Sequence, residues 1–541
     1  MVFISRLFDG RNNSVVFWSV FFLATCLLFV PLFMTEIPPV LDYPNHLARM
    51  YVLAKGPNDP VISRMYVQQW GVIPDLGIDL TVPWMLSFLP LNVAGRVMLA
   101  AALVLPVVGT VSYSRSLFGR GSLWPLGSFL VAYNIVFMLG FINLLLSYGM
   151  ALLSAALLYK YARHNIVLHS VIGAICAIVV FFTHIMGLGL LLMLIASYKF
   201  VDIVQLGTDW KKVGQELFAQ GLGFLIIVVG PLKLYTMTDL VQDDGRTAWE
   251  DGFAKLKFLM GPFLNYYSML DLATVALMIF IFMLLIITRK VLVSWSVFIV
   301  AIILFIAYPY VPFTIKTTGL VDVRIPVALG FLAFCVFTPR NLSKPFVIGL
   351  TLVLALLFVL RTAVVAQVWY GHNQDLADLR QTIQPIEPGS RVLVVDVLGP
   401  GADYLKISGD PDLQPGVPKS RFLSTIGFPM YWHMAALVLI ERRAFWPLLF
   451  AHPFKQPLRV LEPYEELSDP AGRLPYLGGL QADSFSKFEL KLYPYLGDWR
   501  SRFDYVLVLN AGVAGDLHEY WPDRLFFLGQ NDFSALFRIK K

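Results

Sequence analysis

The sequence predicts a polytopic α-helical membrane protein of about eleven spans, followed by a C-terminal α/β domain of soluble character. Three observations predict it. The 541 residues are 57% hydrophobic and only 14% charged, with a mean hydropathy of +0.68, where soluble domains carry about 25% charge. The apolar residues gather in runs of membrane length. The bias ends near position 367: residues 367–541 hold 18 Lys and Arg against 20 Asp and Glu, whereas residues 1–366 hold 24 against 16. The chain therefore divides into a membrane domain, 1–366, and a tail, 367–541, long enough for its own core. The basic excess lies in the membrane part, where it serves orientation; nothing points to nucleic acid.

The first apolar run, 15–34, is longer than a signal-peptide core, and "FMTEIPP" follows it instead of a small-residue cleavage site. It reads as an uncleaved anchor. Further runs lie near 92–112, 122–138, 141–160, 165–182, 184–200, 218–236, 269–288, 291–309, 325–338 and 345–366. Alternate ends of these runs carry Arg6, Arg11, Arg115, Lys160, Arg163, Lys211, Arg289, Arg340 and Lys344, while the tight turns near Gly140 and Thr183 carry no cation. By the positive-inside rule the N-terminus is cytoplasmic, and an odd number of spans then puts the tail outside. Cys26, Cys176 and Cys335 all fall in apolar runs, so the tail contains neither a disulfide nor a cysteine metal site.

Between the first two spans, residues 35–91 form a long outer loop. "NHLARMYVLA" (45–54) is amphipathic and "LTVPWMLSFLP" (80–90) is apolar but too short to span. Both are expected to lie in the membrane interface, with Trp70 and Trp84 at headgroup depth. The segment 252–268 is similar in character. In the tail, "RVLVVDVL" (391–398), "FDYVLVL" (503–509) and "FSALFRIKK" (533–541) read as strands, and "YWHMAALVLIERRAFW" (431–446) as a helix. "SGDPDL" (408–413) contains a D-x-D, for which a Pro/Gly turn is a simpler explanation than a metal.

This orientation collects Glu36, Asp42, His46, Arg49, Asn143, His184, the acidic segment 239–251, Lys316, Asp322 and Arg324 on the outer side. Ionisable groups so near hydrocarbon face a cavity or a partner. In "EIPPVLDYPNHLARM" (36–50), Asp42, His46 and Arg49 are spaced i, i+4, i+7. With Pro44 opening a helix, they share one face. Asp42 then either caps that helix or offers a free carboxylate. His184 is satisfied by backbone or touches substrate. Asp322 and Arg324 pair with each other or serve a phosphate, and Asn143 packs helices together.

A cytoplasmic start, an acid-bearing first outer loop, many spans and an extracytoplasmic α/β tail together resemble the C-type glycosyltransferases. The residues that carry the resemblance are Asp42 in "PPVLDYPNHLAR", with "GFINLLLSYGMAL" (140–152), "FFTHIMG" (181–187) and "GLVDVRIP" (319–326). The resemblance implies a membrane enzyme that takes a sugar from a polyprenyl-phosphate-linked donor. The acceptor would be an envelope glycan, lipid or protein, with membrane lipids as surroundings. The sequence lacks the Asp-Glu pair of protein mannosyltransferases and the W-W-D motif of oligosaccharyltransferases, which leaves the acceptor open.

Inverting transfer needs a base for the acceptor hydroxyl, a role expected of Asp42 with Glu36 in reserve. The leaving phosphate needs cations, expected from Lys316, Arg324 and Arg49. His46, His184 and Asp322 would line the donor site, and His433 and Arg443 an acceptor groove. No spacing of His, Asp or Glu demands a metal and no cofactor motif occurs, so transfer is expected to be metal-independent. The competing readings are a transporter, for which no internal repeat is found, an envelope-polymer polymerase or ligase, and a binding module on a membrane anchor.

Overall fold

In the computed structural model the described residues are 13–119, 122–239, 245–250, 252–316, 318–398, 418–423, 427–482, 485–521 and 524–541. The D-x-D stretch 408–413 and part of the acidic segment 239–251 lie outside them. The main helices, in chain order, are α1 (Asn13–Phe29), α2 (Tyr43–Lys55), α3 (Gly77–Met85), α4 (Leu91–Phe118), α5 (Ile142–Leu157), α6 (Ile166–Thr183), α7 (Ile185–Val204), α8 (Trp210–Thr236), α9 (Ser268–Ile287), α10 (Trp295–Ala307), α11 (Arg324–Val336), α12 (Lys344–Ile383) and α13 (Leu437–Arg442). Among the described residues, eight helices are long and apolar enough to cross a membrane: α1 with its extension to Phe33, α4 to α9, and α12. Three shorter apolar helices, Trp124–Leu139, Trp295–Tyr310 and Arg324–Val336, occupy the remaining expected spans. Every apolar run read from the sequence is thus helical.

The chain forms two compact units. One comprises Met1–Pro31, Val72–Ile78 and Val97–Val365; the other comprises Leu32–Gly71, Asp79–Arg96 and Ala366–Lys541. In the first unit α6 packs on α8, α5 on α7, and α10 on α7 and α11. α4 and α5 meet where neither carries a side chain: a Cβ on Gly109 would lie 2.6 Å from the Gly149 carbonyl oxygen. Such small-residue contacts let helices approach closely where lipid supplies no hydrophobic drive. Asn143 links a loop to this bundle, its amide donating to the Asp75 carbonyl (2.7 Å) and its oxygen accepting the Ile78 N–H (2.9 Å).

The second unit joins segments of the first loop to the tail. Its longer strands are β1 (Tyr66–Gln68), β2 (Val392–Asp396), β3 (Leu458–Val460), β4 (Tyr505–Leu509), β5 (Leu525–Gln530) and β6 (Ser534–Ile539). β2, β4, β6 and β5 make one sheet in that order. β2 runs parallel to β4 with Val392 opposite Tyr505, and β6 runs antiparallel to both neighbours. Every residue of the parallel pair β2 and β4 is buried, although β2 ends the sheet on one side. From the first loop, β1 pairs antiparallel with β3, Tyr66 opposite Val460. Trp70 and Trp84 are exposed.

The stretch 431–446, expected as one helix, is helical only over Met434–Ala436 and α13. Arg443 turns the chain with a left-handed φ of 54°, and Phe445 then exchanges backbone hydrogen bonds with Ser390 and Val392 beside the sheet. Pairing with the sheet displaces the local helical preference.

Candidate functional site

In the second unit, Pro44 opens α2 as its fixed φ favours. Asp42 sits at the N-cap, but its side chain makes no capping hydrogen bond and its φ and ψ (−84° and −8°) are helical. A capping side chain needs extended backbone to fold back onto the first turn. The Asp42 carboxylate is therefore turned elsewhere, and Oδ1 lies 3.0 Å from Nδ1 of His433. This is an ion-pair distance without hydrogen-bond alignment at Nδ1. Both side chains are mostly but not fully shielded, at 14% and 11% exposure, so solvent or substrate can still reach them.

The pair is held from both sides. Asn45, fully buried, donates to the Leu448 carbonyl (2.8 Å) and accepts the Phe450 N–H (2.8 Å), tying the first turn of α2 to the segment after α13. That tie sets the Phe450 ring 5.3 Å from His46 and 5.1 Å from His433. Trp446 packs edge-on to His433 at 5.9 Å. Asp42, His46 and His433 thus share an aromatic-walled corner, and aromatic faces are well suited to the apolar faces of sugar rings.

Arg49, one turn further along α2, is not part of that corner. Its guanidinium is bound bidentately by Asp79 (2.7 and 3.1 Å), and both side chains are 1% exposed. Burial pushes the Asp79 carboxyl above its usual range, and Arg49 opposes that. Arg49 thus holds α2 to α3, away from Asp42 and His433. Glu36 pairs with Arg380 (2.8 Å), which also binds Glu441 (2.8 Å). The Arg380 hydrogen bond holds the Glu36 carboxyl below its usual range. A carboxylate so engaged is a poorer base than an unpaired one. Arg443 is 3.7 Å from Asp59.

In the first unit, α6 and α7 are interrupted at His184, whose backbone is extended (φ −172°, ψ 136°). His184 caps α7: its Nδ1 accepts the Met186 N–H at 3.1 Å. Its Nε2 lies 3.3 Å from Nη1 of Arg324. Arg324 begins α11, donates to the carbonyls of Leu320 and Gly319 (both 3.1 Å), and lies over the Phe141 ring at 4.7 Å. A neutral imidazole accepts at one nitrogen only. Nε2 and Nη1 are in hydrogen-bond contact, with the direction set by the imidazole tautomer.

Asp322 does not pair with Arg324. It is fully buried, accepts the Val323 N–H (2.9 Å), and lies 3.4 Å from Lys255. Burial pushes its carboxyl above the usual range, and Lys255 opposes that. Lys316 is half-buried at a left-handed φ of 55°. The structure thus brings Asp42, His46 and His433 together in one unit, and His184 and Arg324 in the other. Sequence reasoning missed Asn45, Asp79, Phe450 and Lys255, whose roles depend on contacts between distant segments.

No protein-family model matches the chain, and no curated protein matches it. Among solved structures, the chain is similar to ArnT from Cupriavidus metallidurans bound to undecaprenyl phosphate, with 13% identity and a TM-score of 0.48 over 98% of both chains. It is similar to the same protein in the apo state, with 12% identity and a TM-score of 0.47 over 98% of both chains. At these values the likeness assigns neither a residue's role nor a substrate to this chain.

Proposed function

We propose that this chain is a membrane glycosyltransferase that moves a sugar from a polyprenyl-phosphate-linked donor to a cell-envelope acceptor at the outer face of the membrane. The observation that carries the reading is Asp42: its carboxylate stands at a helix start without capping it and is held beside His433 in an aromatic corner. A structural acid at that position would cap; a base must keep its lone pairs available. Asp42 takes the proton from the acceptor hydroxyl as the oxygen attacks the anomeric carbon, and the lipid phosphate leaves from the opposite face. His433 orients the carboxylate. Arg324 and His184 supply charge and hydrogen bonds to a phosphate, the chemistry for which a guanidinium fork is suited. Lys316 and Asp322 lie in the segment leading to Arg324 and shape its approach. His46 and Phe450 border the sugar, and Arg443 lies further along the same unit.

The test is direct. The purified full chain in proteoliposomes is given polyprenyl phosphates carrying labelled hexoses or pentoses, together with an envelope extract. The reading expects label to pass into an extract component and free polyprenyl phosphate to accumulate. No transfer from any lipid-linked sugar, with the protein folded, would overturn it.

A further inference from the structure

The first unit contains a groove to which the proposed transfer assigns no role. It is lined by α1, by the helical segment Trp124–Val131 and by the first turns of α12, and encloses about 580 Å³. That volume lies in the range of small-molecule sites. Its sides are apolar, with Val20, Leu354 and Phe358 among the lining residues, while Arg340 and Lys344 line it close to the start of α12. Both cations are exposed. Arg115, on the same set of Lys- and Arg-rich span ends, is laid over the Phe17 ring at 4.1 Å.

Two further lining residues point to an acceptor-bearing occupant. Trp124 and Thr338 are 5% and 7% exposed, yet the indole Nε1 and the hydroxyl oxygen have no hydrogen-bond partner. The Trp124 ring is fixed by Phe337 and Phe334, at 5.2 and 5.3 Å, so the indole is held in place. Buried polar groups are nearly always satisfied, and each exception calls for an explanation. An indole N–H can only donate. Lys344 is the first residue of α12, where the helix dipole disfavours a cation and favours an anion. Cations at a helix start, unsatisfied donors and an apolar trough together match an amphiphile with an anionic, oxygen-rich head.

We propose that this groove binds an anionic phospholipid, with Arg340 and Lys344 at its phosphate, Trp124 and Thr338 donating to its phosphate or ester oxygens, and its acyl chains along α1 and α12. The charge complementarity distinguishes it from a zwitterionic lipid, whose ammonium would meet the same two cations. Basic pockets between membrane helices recognise anionic headgroups in this way.

The full chain is reconstituted in nanodiscs of equal parts palmitoyl-oleoyl phosphatidylglycerol and phosphatidylcholine, and the lipids retained on release are counted by native mass spectrometry. Phosphatidylglycerol should be retained preferentially. Each cation is worth roughly fivefold in anionic-lipid affinity, so Arg340→Ala with Lys344→Ala should lose roughly 25-fold of that preference while transfer activity persists. Thr338→Val, nearly isosteric, should weaken retention without changing the melting temperature. Equal retention of the two lipids by the wild-type protein would overturn the proposal even if the double variant does not fold. So would a folded double variant that retains phosphatidylglycerol like the wild type. Displacement of phosphatidylglycerol from this groove by stoichiometric undecaprenyl phosphate would reassign it to the carrier and equally overturn the proposal.

Discussion

Oδ1 of Asp42 and Nδ1 of His433 lie 3.0 Å apart although 390 residues separate them in the chain. The contact joins the start of α2 to the segment before α13, and Asn45 ties the same turn of α2 to the segment after α13 through Leu448 and Phe450. In the proposed mechanism His433 acts through Asp42 as a positioning residue. His433→Phe keeps the packing against Trp446 and Phe450 but removes the nitrogen. Turnover should fall on the order of 10²-fold, the scale of a misplaced reacting group, while donor KM stays unchanged. His433→Gln keeps an N–H donor and should recover part of the loss. Equal turnover in the two variants would make His433 a packing residue only.

The second prediction concerns His184 and Arg324. Asn caps helices about as well as any residue, so His184→Asn should keep the start of α7 while losing the Nε2 contact with Arg324. Donor affinity should fall several-fold with no change in melting temperature. Arg324→Lys should retain part of the affinity, because it keeps charge and loses the fork, and Arg324→Ala should retain less. Titration with a polyprenyl phosphate checks the order.

Arg49 and Asp79 give a stability prediction. Removing one partner of a buried ion pair leaves an unbalanced charge and typically costs about 3–5 kcal/mol. Arg49→Met and Asp79→Leu should therefore each be strongly destabilising, and the double variant should recover much of the loss. Chemical denaturation followed by tryptophan fluorescence measures it. Additive losses in the double variant would contradict a pair that acts as a unit.

Asp396 ends β2 and is 1% exposed, with its carboxylate accepting from Tyr431 (2.7 Å) and Asn510 (3.0 Å). Burial pushes its pKa up to about 6, against those hydrogen bonds. A carboxyl raised in the folded state contributes stability in its protonated form. That contribution is complete below about pH 4, near the ordinary Asp value, and is lost as pH rises through about 6. Raising a carboxyl pKa from about 4 to about 6 corresponds to roughly 3 kcal/mol. Between pH 4 and 7 the wild-type melting temperature should fall relative to that of Asp396→Asn, which cannot ionise. Parallel curves would place Asp396 in a more polar setting.

Much of the fold was legible in the sequence because it is written in local pattern. Eleven apolar runs became helices, and "RVLVVDVL", "FDYVLVL" and "FSALFRIKK" contain β2, β4 and β6. The start of α2 between Asp42 and His46 was legible from Pro44. The partners did not. Arg49 looked like a surface cation because Asp79, which buries it, lies 30 residues away on another helix. The stretch 431–446 has a helical period, but hydrogen bonds to Ser390 and Val392 draw its end alongside the sheet. Nothing local marks Asn45 as the residue that ties α2 to Phe450, or Lys255 as the partner of Asp322.

The central claim is that Asp42 is the base. It is tested most directly by the single-turnover rate of sugar transfer from a polyprenyl-phosphate-linked donor, compared between wild type and Asp42→Asn. The Asp42 side chain makes no cap, so neither Asn nor Ala at this position should shift the melting temperature appreciably. General-base catalysis contributes roughly 10²–10⁴ in rate, and the Asn variant should lose turnover on that scale with donor binding intact. Glu36→Gln should cost far less, because Glu36 is engaged by Arg380. Transfer by Asp42→Asn at the wild-type rate would contradict the account and put the base elsewhere.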